Sequence, residues 1–315
     1  MNQILSFKKV YGENQLVNEV FESQLNHNTV YRDFVQQLKG MGFKPPFLPV
    51  EAFKHYNLNQ QKEADLVFMS SGTTQARRSK HAVYDAELYR RVTRHHFEAQ
   101  YGAISDWTIL ALLPSYVENG DSSLVYMVDC FIELAHPDSS FVLHQPEELN
   151  NQLQQLKAQK RKTMLIGVSY ALLDFAEEHH IDFPELIIME TGGMKGRREE
   201  LIRATLHRRI NRGFPNSEIH SEYGMTELLS QAYSSDGKWF HPPEWMLAYA
   251  TDVSDPLTIL PKGSRGLLAF IDLANYYSCS FIQTKDIGMV NQNGSFTIEG
   301  RMDNSDLRGC NLLYT

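Results

Sequence analysis

Ser70-Ser71-Gly72-Thr73-Thr74 (SSGTT) directly follows the apolar run Ala64–Met69 (ADLVFM). The apolar run predicts a β-strand, and the polar string after it predicts a loop at the end of that strand. A glycine among hydroxyl side chains lets the backbone approach an anion closely, while amide and hydroxyl groups donate to it. The stretch indicates a phosphate-binding loop, and taken alone it also fits an ordinary polar turn.

Short apolar runs continue to alternate with helical stretches along the chain. The predicted strands are Leu66–Met69, Thr108–Leu113, Ser140–Leu143, Thr163–Val168, Leu186–Met189 and Glu218–His220. The predicted helices are Asp85–Tyr101, Ser122–Leu134, Glu147–Gln159, Tyr170–His179 and Arg197–Arg212. This alternation indicates βαβ units and a mostly parallel sheet. Ligands of such sheets bind at the carboxyl ends of strands, so we expect SSGTT and the Tyr223-Gly224 loop to share a cleft.

Changes in pattern divide the chain into four predicted segments. Residues 1–63 are polar with helical spacings, 64–258 form a nucleotide- and acyl-binding α/β core, 259–300 a small β-rich subdomain, and 301–315 a hinge remnant and tail. Glycine punctuates the β-rich part, where a hairpin turn is expected at Asn291–Gly294.

Composition narrows the class of protein. The 315 residues are 42% apolar and 22% charged, which is typical of a globular protein with an ample core. A net charge of -8 argues against nucleic-acid binding, and the sequence predicts neither a membrane span nor a signal peptide. The three cysteines are widely spaced, which argues against a disulfide framework or a zinc site and favours the cytoplasm.

Four further motifs follow SSGTT in order: ETGGMKG (190–196), HSEYGMTE (220–227), QTKDIG (283–288) and GRMDN (300–304). In this order they resemble the motifs of the adenylate-forming superfamily, which includes acyl-CoA synthetases, luciferases and peptide-synthetase adenylation domains. The run around ETGG is similar to that of phenylacetate-CoA ligases. The compact length and the SSGTT loop look most like the acyl-protein synthetases (LuxE-type).

The resemblance implies a three-layer α/β large domain with a small β-rich subdomain. It implies ATP-dependent activation of a carboxylic acid, with a fatty acid favoured, as an acyl adenylate, and transfer of the acyl group to a thiol. The implied phosphate ligands are Ser70, Ser71, Gly72, Thr73 and Thr74, with Thr226 at the α-phosphate and Glu227 on Mg²⁺. The implied contacts to the nucleoside of ATP or AMP are Tyr223, Gly224, Gly192, Gly193, Asp286 and Arg301.

The chain departs from the usual pattern of the superfamily in two places. The phosphate loop continues as TTQARRS, so Gln75 replaces a glycine and Arg78 falls roughly where a lysine is expected. Arginine keeps the charge and binds phosphate bidentately. The usual C-terminal lid domain, which carries a catalytic lysine, is expected to be absent after GRMDN.

By the same resemblance, Cys310 is the expected acyl acceptor, and Arg308 beside it would lower its pKa. Cys130 and Cys279 are expected to be packing residues. A partner protein, a carrier protein or CoA would then take the acyl group. Two alternatives stay open: an acyl- or aryl-CoA ligase with a separate C-terminal domain, and a non-catalytic acyl- or nucleotide-binding subunit.

Overall fold

The computed structural model describes residues 13–38, 45–58, 63–71, 77–114, 120–143, 146–192 and 201–302. The α-helices are α1 (Glu13–His27), α2 (Thr29–Gln37), α3 (Ala52–His55), α4 (Ala86–Tyr101), α5 (Ser123–Leu134), α6 (Pro146–Ala158), α7 (Ser169–Glu178) and α8 (Arg203–Gly213). The strands are β1 (Leu48–Pro49), β2 (Leu66–Met69), β3 (Lys80–Val83), β4 (Thr108–Leu112), β5 (Ser140–Phe141), β6 (Thr163–Val168), β7 (Leu186–Thr191), β8 (Glu218–Tyr223), β9 (Ala232–Ser234), β10 (Met246–Thr251), β11 (Arg265–Asp272), β12 (Phe281–Met289) and β13 (Gly300–Arg301).

The described residues form two compact units. The first unit draws on Met1–Leu66, Arg77–Asp85 and His241–Thr315, and the second on Val67–Ala76 and Ala86–Phe240. The segment boundaries drawn from the sequence at 64, 259 and 301 stay a prediction.

The second unit is built on a six-stranded sheet in the order β5-β4-β6-β7-β8-β9. The pairs from β5 to β8 are parallel, and β9 runs antiparallel to β8. Every residue of β4 and β6 is buried, which explains their unbroken apolar sequences. Helices α5 and α7 pack on this sheet.

Helices α7 and α8 approach each other closely where α8 ends. A Cβ atom added at Gly213 would lie 2.7 Å from the Cα atom of Ala176. Only glycine fits there without moving the backbone, so this residue sets the spacing of the two helices.

The first unit is built on a sheet in which β1, β12, β11 and β10 are neighbours and β13 pairs with β12. Its N-terminal helices attach through Asn28, whose side chain caps α2 and donates to the carbonyl oxygen of Ser278 at 2.8 Å. Tyr31 stacks on Phe281 with ring centroids 5.5 Å apart. The predicted turn at Asn291–Gly294 is confirmed by a 3.1 Å hydrogen bond between its end residues.

Among the residues described, no helix has both the length and the apolar character that a membrane span requires.

Candidate active site

Two neighbouring strands of the second unit end at glycines that the sequence motifs contain. Strand β7 ends at Thr191 and continues into Gly192, and β8 ends at Tyr223 and continues into Gly224. Thr191 pairs with Glu222 in the parallel register, so both loops leave the same edge of the sheet. Ligands of parallel sheets bind at this edge.

The two glycines differ in their surroundings. Gly192 has a φ of +70°, which side chains rarely adopt. At Gly224 an added Cβ would collide with the Oε1 atom of Glu222. At Gly224 the space of the missing side chain is thus occupied by the Glu222 carboxyl, whereas Gly192 is exposed directly beyond the end of β7.

The YGMTE motif forms a turn immediately after β8. The N–H group of Leu228 donates to the carbonyl oxygen of Met225 at 3.1 Å. Thr226 is half-buried and the side chain of Glu227 is only 6% exposed. The turn thus holds a hydroxyl and a carboxyl group directly beyond the strand end.

Glu190, in β7, is the centre of a buried polar network. Its Oε1 atom lies 2.6 Å from the hydroxyl of Ser169, and its Oε2 atom accepts from the hydroxyl of Ser221 at 2.9 Å. The Arg203 guanidinium of α8 brings positive charge to Oε2 at 3.6 Å, and the Nε2 atom of His207 lies 3.8 Å from the same oxygen. Burial alone would raise the pKa of Glu190, but His207, Arg203 and Ser169 hold it below its ordinary value.

This network reaches the loop after β7 and the ring of Tyr223. The hydroxyl of Ser169 also lies 3.0 Å from the carbonyl oxygen of Gly192. The guanidinium of Arg203 lies 4.9 Å from the centroid of the Phe240 ring, and Phe240 contacts Tyr223 edge-on at 6.0 Å. Glu190, through Arg203 and Phe240, therefore helps to fix the orientation of Tyr223.

Glu222 is a second buried carboxyl group and behaves differently from Glu190. Burial raises its pKa to about 7, the charge of Glu190 adds to the rise, and the hydrogen bond from the Thr191 hydroxyl opposes it. Near neutral pH this carboxyl is partly protonated, so it can donate a hydrogen bond as well as accept one.

We expect the pKa of Glu222 to make folding pH-dependent. Its folded pKa lies above the ordinary value of 4.5, so stability is fully present below pH 4.5 and is lost as pH rises through about 7. Relative to Glu222→Gln, the wild type should lose roughly 2–4 kcal/mol of unfolding free energy between these limits. Urea denaturation at pH 4.5, 6 and 8 measures this difference. The exposed-site control Glu244→Gln should show no such trend, and a flat difference for Glu222→Gln would contradict the assignment.

A narrow apolar gap lies against Glu222 inside the second unit. It is lined by Thr191, Glu222 and Tyr233 together with apolar side chains, chiefly Phe97, Phe131, Ile166, Met127, Met164 and Met189. Its free volume is about 10 Å³, close to that of one water molecule. Methionine side chains repack readily, so this lining is adaptable.

Strand β2 carries the start of the predicted phosphate loop. The N–H group of Met69 donates to the carbonyl oxygen of Asp121 at 2.7 Å, next to the N-terminus of α5. Ser70 is half-buried and Ser71 is exposed at the end of this strand. Gly72, Thr73 and Thr74 lie outside the described residues.

Three predicted site residues belong to the first unit. Asp286 and Arg301 are cross-strand partners of β12 and β13, and the Arg301 Nε atom lies 4.0 Å from the Asp286 Oδ1 atom. The two side chains are therefore neighbours in the sheet, and their role at a nucleotide stays a prediction. Arg78 is half-buried and precedes β3.

The predicted residues Gly193 and Cys310 lie outside the part of the chain that the structure describes. The other two cysteines are buried thiols, as expected. Burial raises the pKa of Cys130 to about 11 and that of Cys279 to about 12, so both are poor nucleophiles at neutral pH.

The model of the acyl-protein synthetase family, LuxE, matches residues 8–314. The chain belongs to the LuxE family. No curated protein sequence matches it. This assignment confirms the resemblance drawn from the motifs.

Solved structures share the fold of this LuxE-family chain. The 2-hydroxyisobutyryl-CoA ligase in complex with 2-HIB-AMP and CoA matches with a TM-score of 0.68 and 14% identity, over 96% of this chain and 71% of its own. ATP-bound MatB from Rhodopseudomonas palustris matches with a TM-score of 0.55 and 18% identity, over 77% of this chain and 49% of its own. The chain thus spans about half the length of MatB. These likenesses confirm the α/β fold of the adenylate-forming large domain.

Sequence analysis missed the buried polar residues around the predicted loops. Glu190 and Glu222 stood within the quoted motifs without a role, and Arg203, His207, Tyr233 and Phe240 were not singled out. An acidic residue inside an otherwise buried strand could have indicated them, because a buried carboxyl group needs hydrogen-bond or charged partners.

Proposed function

We propose that this LuxE-family chain forms an acyl adenylate from ATP and a carboxylic acid and transfers the acyl group to a thiol. The arrangement of two adjacent strand ends carries the proposal. Gly192 follows β7, and the turn with Thr226 and Glu227 follows β8, at the edge where parallel sheets bind ligands. Open backbone, a hydroxyl and a carboxylate are the groups that a metal-bound nucleotide needs.

The first step joins two anions. A carboxylate oxygen attacks the α-phosphorus of ATP, the bond from that phosphorus to the oxygen bridging the β-phosphate breaks, and pyrophosphate leaves. Preorganised donors stabilise the charge that develops. We assign this role to Thr226 at the α-phosphate, to Arg78, and to the loop residues Ser70, Ser71, Gly72, Thr73 and Thr74.

Glu227 is the proposed ligand for Mg²⁺. Magnesium keeps several waters and takes one or two carboxylates plus substrate phosphates, so a single carboxylate at the strand end fits it. No cluster of three or more His, Cys, Asp or Glu side chains that could hold a metal ion occurs among the described residues. When bound, the cation would neutralise phosphate charge.

The nucleoside contacts follow from the same resemblance. Tyr223 would stack on adenine, and its ring is already oriented by Phe240 at 6.0 Å. Gly192, Gly193 and Gly224 would let the backbone approach the base. We propose Asp286, with Arg301 beside it, as the acceptor for the ribose hydroxyls.

In the second step a thiolate attacks the carbonyl carbon of the adenylate, the carbon–oxygen bond to AMP breaks, and AMP leaves. Cys310 is the proposed nucleophile, since the pKa values of Cys130 and Cys279 are strongly raised. A reducing cytoplasm would keep this thiol free. The apolar lining of the gap beside Glu222 favours a fatty acyl chain, and an acyl-accepting protein, a carrier protein or CoA would take the product.

The test combines acid-dependent ATP–pyrophosphate exchange with intact-protein mass spectrometry, over a panel of fatty and aromatic acids with Mg²⁺. We expect exchange with at least one acid and a matching acyl mass gain. Cys310→Ala should lose the mass gain but keep exchange, whereas Cys130→Ala should keep both.

Two results would redirect the proposal. Turnover that requires CoA and is indifferent to Cys310→Ala would indicate an acyl- or aryl-CoA ligase. Absence of exchange with every acid, together with Mg²⁺-dependent thermal stabilisation by ATP, would indicate a nucleotide-binding subunit.

A further inference from the structure

Tyr233 places an unpartnered hydroxyl group inside the second unit. Tyr233 is 2% exposed, and its hydroxyl oxygen has no hydrogen-bond partner among the described residues. A buried polar group left without a partner costs roughly 1–3 kcal/mol. Phenylalanine would avoid this cost at nearly the same size. The hydroxyl of Tyr233 therefore does not contribute to the stability of the fold.

The ring of Tyr233 cannot turn its hydroxyl toward solvent. His96 stacks on the ring with centroids 5.0 Å apart, and Tyr101 and Phe97 contact it edge-on at 5.4 Å and 6.5 Å. These neighbours fix the ring on three sides. The hydroxyl is held in place before any ligand binds.

Tyr233 and Glu222 are neighbours that line the same gap. They are directly opposed in the antiparallel pair of β8 and β9, so their side chains lie on one face of the sheet. Both line the apolar gap, together with Thr191. The lining is mainly Phe, Leu, Ile and Met side chains, and Tyr233, Glu222 and Thr191 are the lining residues whose side chains can form hydrogen bonds.

We propose that Tyr233 and Glu222 select an acid whose chain carries a hydrogen-bonding substituent, such as a hydroxyl or keto group. This inference rests on the proposed acyl activation, with the gap as the place of the acyl chain. The Tyr233 hydroxyl would donate to the substituent oxygen. The Glu222 carboxyl would accept from a substituent hydroxyl when ionised or donate to a keto group when protonated. The methionines of the lining would repack to admit the carbon chain.

The buried Tyr233 hydroxyl would discriminate between acids by its need for a hydrogen-bond partner. A plain acyl chain in the gap leaves Tyr233 without a partner, whereas a substituted chain satisfies it. Sites built to hydrogen-bond a substrate group discriminate strongly against the analogue that lacks it. We expect at least about a tenfold preference in kcat/KM for the substituted acid. A ratio of this size corresponds to the free energy lost when a buried hydroxyl is left without a hydrogen bond.

The experiment compares straight-chain acids with their hydroxy and keto analogues, substituted at successive positions, in ATP–pyrophosphate exchange. Tyr233→Phe should remove most of the preference, measured as the ratio of kcat/KM for the substituted acid to kcat/KM for the plain acid. Tyr101→Phe is the matched control, since its hydroxyl already lies 3.2 Å from the Nδ1 atom of His220. This control should keep the preference.

Calorimetric titration with the same acids separates this inference from the proposed function. Tighter binding of the substituted acid that is lost in Tyr233→Phe would support the inference. If no acid supports exchange at the same time, only the proposed acyl activation is contradicted. Exchange or binding without any preference, unchanged in Tyr233→Phe, overturns the inference and leaves acyl activation standing. In that case Tyr233 holds an ordered water only.

Discussion

Replacing Glu190 by alanine is expected to lower the unfolding free energy by roughly 3–5 kcal/mol, because a buried polar network loses the carboxylate at its centre. The hydroxyls of Ser169 and Ser221 lose the carboxylate oxygens at 2.6 Å and 2.9 Å. Arg203 loses its counter-charge at 3.6 Å, and His207 loses the carboxylate oxygen at 3.8 Å. Urea denaturation at neutral pH measures the change.

The matched control is Glu177→Ala, which removes a carboxylate paired with Arg209 between two partly exposed side chains. Exposed pairs contribute about 0–1 kcal/mol, so this variant should stay near the wild type. The folded pKa of Glu190 lies below 4.5, so its stabilisation is present above that pH and disappears as pH falls through the lowered value. A loss below 1 kcal/mol for Glu190→Ala, or one that does not shrink in acid, would show that the network is not a stabilising one.

Strands that are buried on both faces were predictable from the sequence. Thr163–Val168 reads as one apolar run, and the structure has β6 with these bounds. Met246–Thr251 was not predicted, because its sequence MLAYAT contains two alanines and alanine is a poor strand former. Pairing with β11 over six positions makes this segment a strand, and such long-range pairing leaves no local signal.

The positions of the candidate site were predictable where each motif directly follows a strand. Tyr223 and Gly224 do so, and the sheet order places them beside Thr191 and Gly192. The hydrogen-bond network beside these loops was not predictable, since it joins residues that are distant in sequence. Ser169, Glu190 and Ser221 come from three different elements, and only the fold brings their side chains within hydrogen-bonding distance.

Glu227→Gln is expected to reduce acid-dependent ATP–pyrophosphate exchange by at least about 100-fold, since it removes charge where the phosphates and their cation are proposed to lie. The substitution keeps the size of a side chain that is 6% exposed, so the fold should survive. The concentration of Mg²⁺ required for half-maximal exchange should rise. Measuring exchange across a Mg²⁺ titration therefore tests the role of Glu227 as a ligand.

Glu218→Gln makes the same change in β8, the strand that precedes the turn, at a side chain that is 70% exposed, and it should leave both the rate and the Mg²⁺ dependence unchanged. If Glu227→Gln proves unstable, Thr226→Ala tests the same turn at a half-buried position, with an expected loss of about 100-fold and no shift in Mg²⁺ dependence. A hydroxyl and a carboxylate in one turn then give separable effects, one on the phosphate and one on the cation. Full exchange activity in both variants would remove this turn from the reaction, because a purely structural turn has no reason to respond to Mg²⁺.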